Sequence, residues 1–111
     1  MAAYVISEVE ILDQELVKTY RALAEPSVAK YGGCYIVRGG AAEVVERDGE
    51  RAGPGEDHGE GQRRAKPPRL VILEFPTMER ARAWYRSPEY AAALKVRRTA
   101  LKRRLVFVEG A

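Results

Sequence analysis

The chain opens on an alternation. Residues 3 to 11, AYVISEVEI, put Val5 and Val9 on one parity and Ile6 on the other, which predicts a strand with a polar exit. Asp13 then has the character of an N-cap, with Glu15 in the first turn of the helix it announces. Leu16, Tyr20, Leu23 and Ala24 recur at three- and four-residue spacing, one apolar stripe. Pro26 is expected to kink this helix or divide it, and Gly32 and Gly33 to end it. A second strand follows at 34 to 38, CYIVR, and continues through Ala42 to Glu46 if Gly39 and Gly40 form a bulge. RLVILEF, 69 to 75, is an unambiguous strand. Thr77 caps the next helix, with Met78, Ala81, Trp84 and Tyr85 on its apolar face. Ser87 and Pro88 restart it as cap and first helical residue, and Ala91, Leu94 and Leu101 carry the stripe on. LVFV, 105 to 108, is the closing strand.

The order strand, helix, strand, strand, helix, strand predicts an α+β fold. Two strand–helix–strand units make a ferredoxin-like β-α-β-β-α-β sandwich, a four-stranded antiparallel sheet with the helices on one face. That leaves a face uncovered, and such a face is ordinarily polar. Here Leu70 to Leu73, Tyr35 to Val37 and Leu105 to Val108 are apolar at both parities. The predicted cover is a second copy of the chain, sheet against sheet in a symmetric homodimer. A different protein on the same patch is the competing explanation.

Composition changes this picture in one place. Residues 47 to 68, RDGERAGPGEDHGEGQRRAKPP, hold five of the ten glycines and three of the six prolines, with two alanines as their only apolar side chains. Such a segment buries too little to offset its ordering entropy, so a flexible insert is expected within one domain spanning 1–111. No apolar run approaches the ~20 residues that span a bilayer, so no membrane role is expected. The N-terminus lacks the basic region and cleavage site of a secretory signal. With a single cysteine, Cys34, these features point to a reducing cytoplasm. The net charge of +3 is concentrated in KVRRTALKRR, 95 to 104. Nucleic acid is a legitimate thought there, but no aromatic interleaves with the charges, and basic residues also suit the end of a helix.

YGGCYIVRGG, LVILEFPTMERARAWYRSPEYAAALKVR and the terminal RLVFVEG resemble domain-of-unknown-function family 1330, part of the dimeric α+β barrel superfamily. The similarity takes in Asp13, Tyr20, the Ser-Pro-Glu-Tyr step and Arg97, seven residues beyond Tyr90. It implies a ferredoxin-like protomer and a dimer whose sheets meet in a barrel. It implies no reaction, since the family has no established common activity. Glu46 matches the family's strand-ending Glu-Gly, but Arg47 stands where the glycine is usual, and the insert replaces a short loop with an aromatic residue.

Candidate chemistry narrows by elimination. One histidine, His58, and one cysteine in different segments give no metal-ligand spacing and no nucleophile–base arrangement, so neither a metal nor a cofactor is expected. The glycines of the insert follow no strand and open no helix, which removes a phosphate cradle. What remains is Arg38, Glu74, Trp84, Tyr90 and Arg97, with Tyr20 and Tyr31. Two readings of Arg38 stay open. In one, Arg38 shares the buried parity of Cys34 and Ile36 and clamps Glu74 at the end of the neighbouring strand. In the other, Arg38 and Arg97 present a fork to an anionic small molecule in a cleft walled by Trp84 and the tyrosines. A cofactor-independent enzyme, such as an isomerase or an oxygenase-like protein, follows by analogy with the superfamily. A non-catalytic binding or accessory protein with the same cleft is the alternative.

Overall fold

The computed structural model describes residues 1–48 and 69–111. Most of the insert, expected to be flexible, lies outside the described residues, and so does His58. The elements run β1 (Ala3–Ile11), α1 (Gln14–Lys30), β2 (Cys34–Ala41), β3 (Arg69–Phe75), α2 (Met78–Tyr85), α3 (Pro88–Ala100) and β4 (Leu101–Glu109). All strand pairs are antiparallel, in the order β2-β3-β1-β4. This is the ferredoxin-like arrangement that the element order predicts.

Each helix starts where a short polar side chain can take up a free backbone N–H. Asp13 accepts from Leu16, Thr77 from Arg80 and Ser87 from Tyr90. Pro26 does not divide α1, which runs unbroken from Gln14 to Lys30. Its ring sits on the exposed side of the helix, beside exposed Ala22, where a carbonyl left without its amide partner meets water. The next residue, Ser27, turns inward and donates its hydroxyl to the Ala24 carbonyl at 2.6 Å.

The helices cover the face that carries Val5, Leu73 and Phe75, closing a core with Val28, Ala81, Trp84, Tyr90 and Ala93. Behind α3 the chain extends at once. Leu101 belongs to β4 rather than to a helical stripe, because the lower half of β1 needs a partner and pairs Ile11 with Leu101 and Val9 with Arg103. The buried face of α3 is Tyr90, Ala93 and Ala100, while Ala91 is exposed. On the opposite face, the register aligns Ile6 with Ile72 and Val106, and Tyr4 with Val108. Both faces of the sheet are therefore apolar.

β2 stops at Ala41 rather than Glu46, and it is bulged twice. One shift falls at Arg38/Gly40, where Gly39 takes φ +78, a conformation that costs glycine least. The other falls between Tyr35 and Val37 and has the larger effect on side-chain direction. An extra residue reverses the parity of everything beyond it. Cys34 and Ile36 are exposed, and Arg38 does not share their face; it stands opposite Val71 on the helix side with Tyr35. Glu74 pairs with Cys34, so the expected Arg38–Glu74 clamp does not form. An antiparallel register that begins at Cys34–Glu74 carries Arg38 away from Glu74 with every step.

Candidate functional site

A cavity of about 310 Å³ lies between α1 and the sheet. Its floor is the inward face of the sheet, with Val5, Val9, Val71, Leu73 and Leu105 around the Ser7 hydroxyl. Val17 and Tyr20 of α1 and Trp84 of α2 wall it. The Ser7 hydroxyl is enclosed and has no hydrogen-bond partner among the described residues. A buried polar atom left this way needs an explanation, and a ligand is one.

Beside Ser7 stands the polar centre of the cavity. Arg103 reaches in from β4, where Lys102 and Arg104 point to the other face. Its Nη1 donates to the Tyr20 hydroxyl and its Nη2 to the Tyr90 hydroxyl, each at 3.0 Å, and the two hydroxyl oxygens are 2.5 Å apart. No carboxylate pairs with this guanidinium among the described residues. Burial works against its charge, but the two phenolic oxygens outweigh that and hold its pKa above the ordinary value. Burial, then the neighbouring Tyr20 oxygen, pushes the Tyr90 phenol well above its usual range, against the pull of Arg103.

A second polar group lines the cavity at α1 and β2. Arg38 Nη1 donates to Glu25 at 2.9 Å, and its guanidinium lies 4.3 Å from the centroid of the Tyr35 ring. Arg21, one helical turn before Glu25, lines the cavity as well. Burial, followed by Tyr20 and Glu25, raises the Tyr35 phenol far above its normal value. The Arg38–Glu25 pair is too exposed to contribute much stability.

Arg38, Tyr20 and Trp84 thus line the cavity, and Tyr90 touches its polar centre from behind. Trp84 is also structural, for its Nε1 donates to the buried Ser27 hydroxyl at 3.0 Å. Tyr31 is elsewhere, donating to Glu89 at 2.9 Å while Lys30 pairs with the same carboxylate at 2.8 Å. Arg97 lies on α3 outside the cavity lining, its Nε enclosed without a partner among the described residues, so it forms no fork with Arg38. Glu74 faces away from the helices. Sequence reasoning missed Arg103, Ser7, Glu25 and Tyr35. The signal for Arg103 was its parity: two and four residues before Leu105 and Phe107, it continues their inward face. Among the described residues no group of His, Cys, Asp and Glu has the makings of a metal site, and no helix is long and apolar enough to cross a membrane.

A ferredoxin-like α+β fold with a cavity between its first helix and its sheet defines the class. Within it, the chain belongs to the family of a domain of unknown function (DUF1330), whose match spans residues 2–54 and 51–111. Among solved structures it is similar to RPA0582, a protein of unknown function from Rhodopseudomonas palustris, with a TM-score of 0.70 and 18% identity over 99% of this chain and 82% of that one. It also resembles SnoaB, a cofactor-independent oxygenase from Streptomyces nogalater, with a TM-score of 0.64 and 9% identity over 99% and 93% of the two chains. A dimeric protein of unknown function and ferredoxin-like fold from Bacteroides fragilis gives 0.58 and 15% over 98% and 96%. At these identities the likeness is one of fold. The comparison with curated proteins returns no match.

Proposed function

We propose that the chain is a small homodimer whose protomers each bind an anionic, largely apolar small molecule in the cavity between α1 and the sheet. The observation that carries this reading is Arg103. A guanidinium stays charged at any ordinary pH, and a half-buried one with no carboxylate partner is suited to pair with an incoming anion. The two phenolic oxygens favour its charged form, and no carboxylate among the described residues neutralises it. The apolar floor and Trp84 offer a flat, dry surface for the remainder of the ligand. The dimer is supported by the apolar outer face and by the dimeric state named for the Bacteroides fragilis protein.

Isothermal titration with 2-naphthoate, an apolar carboxylate, tests the site. Binding to the wild type and its loss by about ten- to a hundredfold in Arg103→Met is the expected result. Equal affinity of the two proteins, or no binding at all, refutes the anion reading. Light scattering at micromolar concentration tests the assembly; twice the 12.4 kDa chain mass is expected, and a folded monomer refutes it.

Catalysis without a cofactor is the second reading. It is favoured by a proton-bearing tyrosine pair held against a half-buried cation, and by the fold shared with SnoaB. Native mass spectrometry of freshly purified protein identifies any retained molecule, whose conversion under turnover conditions separates an enzyme from a binding protein.

A further inference from the structure

The hydroxyls of Tyr20 and Tyr90 are close enough that one proton lies between them, and either could supply it by distance alone. Their surroundings decide which. Tyr90 is fully buried, and its hydroxyl has no other acceptor among the described residues. Were Tyr20 the donor, the Tyr90 proton would be shut in without a partner, an arrangement folded proteins avoid. Tyr90 also holds its proton firmly, since burial pushes its phenol up. The Tyr90 hydroxyl therefore donates to Tyr20.

Tyr20 then accepts twice, from Tyr90 and from Arg103. A phenol has one proton to give, and that of Tyr20 finds no acceptor among the described residues. Tyr20 is half-buried and lines the cavity, so an acceptor on a ligand held there can take this proton in place of water. The second orphan, the enclosed Ser7 hydroxyl, lies on the adjacent strand: Ser7 pairs with Leu105, two residues from Arg103 on the same face of β4. The two hydroxyls and the Arg103 guanidinium form one polar part of the cavity, set on the apolar floor and apart from the Arg38–Glu25 group at α1 and β2.

We infer that the cavity takes a carbonyl compound, with the Tyr20 hydroxyl donating its hydrogen bond to the carbonyl oxygen and Ser7 and Arg103 beside it. This rests on the small-molecule reading and narrows it to a ligand with an sp² acceptor oxygen on an apolar body. Tyr90 acts through Tyr20 as a positioning residue, fixing which way that proton points.

A neutral probe separates the proton of Tyr20 from the charge of Arg103. Titration of the wild type with 2-acetylnaphthalene and with its oxygen-free isostere, 2-isopropenylnaphthalene, is expected to favour the ketone by about tenfold or more. In Tyr20→Phe that preference is expected to collapse while the hydrocarbon still binds. Equal affinity of the wild type for the two probes overturns the inference, as does a preference that survives in Tyr20→Phe. Should that variant fail to fold, the wild-type ratio and its reduction in Ser7→Ala decide the matter, and a ratio unchanged by Ser7→Ala counts against the inference. If neither these probes nor 2-naphthoate bind the wild type, the small-molecule reading falls and takes the inference with it. If 2-naphthoate binds and depends on Arg103 while the ketone shows no preference, only the inference falls.

Discussion

Ser27→Ala removes one oxygen from the interior, and its cost can be worked from the contacts. The Ser27 hydroxyl accepts from Trp84 Nε1 at 3.0 Å and donates to the Ala24 carbonyl at 2.6 Å, with the two residues 3% and 2% exposed. Without it, the indole N–H is buried and unmet, which costs about 1–3 kcal/mol. Alanine is the better helix former by about 0.5 kcal/mol, so a net loss of about 1–2 kcal/mol is expected. For a chain of this size that lowers Tm by roughly 5–12 °C at fixed protein concentration. The decisive measurement is the cycle with Trp84→Phe, which deletes the indole N–H itself. In that background Ser27→Ala should cost much less, giving a coupling of about 1–2 kcal/mol. Urea denaturation followed by far-ultraviolet circular dichroism reads all four proteins, since the fluorophore is absent from two. An equal cost of Ser27→Ala in both backgrounds would refute the assignment. Ser27 would then not be what ties α1 to α2, and the placement of Trp84 along the cavity would need another cause.

Two further outcomes follow from other parts of the fold. A Cβ at Gly33 would lie 2.6 Å from Phe75 Cε1 and 2.9 Å from Val28 Cγ1, both side chains being fully buried, so Gly33→Ala should destabilise by about 1–3 kcal/mol in urea denaturation; a neutral effect would mean that the turn can shift away from the core. Glu89, hydrogen-bonded first by Lys30 and also by Tyr31, has its carboxyl pKa lowered from 4.5 to about 2. Its contribution is therefore complete above 4.5 and is lost as pH falls toward about 2, so the wild-type Tm should drop more steeply across that window than that of Glu89→Gln, and parallel curves would count against the ion pair.

The parts of this fold legible in the sequence are those decided by neighbouring residues. Asp13, Thr77 and Ser87 announce helix starts because a cap acts within three residues. The glycine bulge after Arg38 was legible for the same reason, since Gly39 permits what other residues resist. The bulge at Ile36 carries no such mark. It follows from how β2 meets β3, and it reverses the face on which Arg38 falls. An intrastrand parity rule therefore assigned Arg38 to the wrong side and gave it Glu74 instead of Glu25. Arg103 was hidden differently. Within KVRRTALKRR it reads as one charge among six, because composition does not show where α3 ends. Once β4 begins at Leu101, Arg103 separates from its neighbours and enters the cavity with Tyr20. Pro26 misled because a proline's effect on a helix depends on whether its free carbonyl meets solvent, a tertiary fact.

The two bulges of β2 also bear on which contacts the sheet refuses. β2 is an outer strand, and an outer strand exposes a row of amides and carbonyls ready to recruit a foreign strand. Here that row is broken twice, at Tyr35/Val37 and at Arg38/Gly40, and a regular ladder cannot be continued across it. The other outer strand, β4, carries exposed Lys102 and Arg104 near its start, so a second copy arriving there edge-on brings like charge against like. With one rim irregular and the other cationic, ribbon-like growth through backbone pairing is disfavoured at both ends. The same local irregularity that sets Arg38 on the helix side thus acts as a guard against fibrous aggregation.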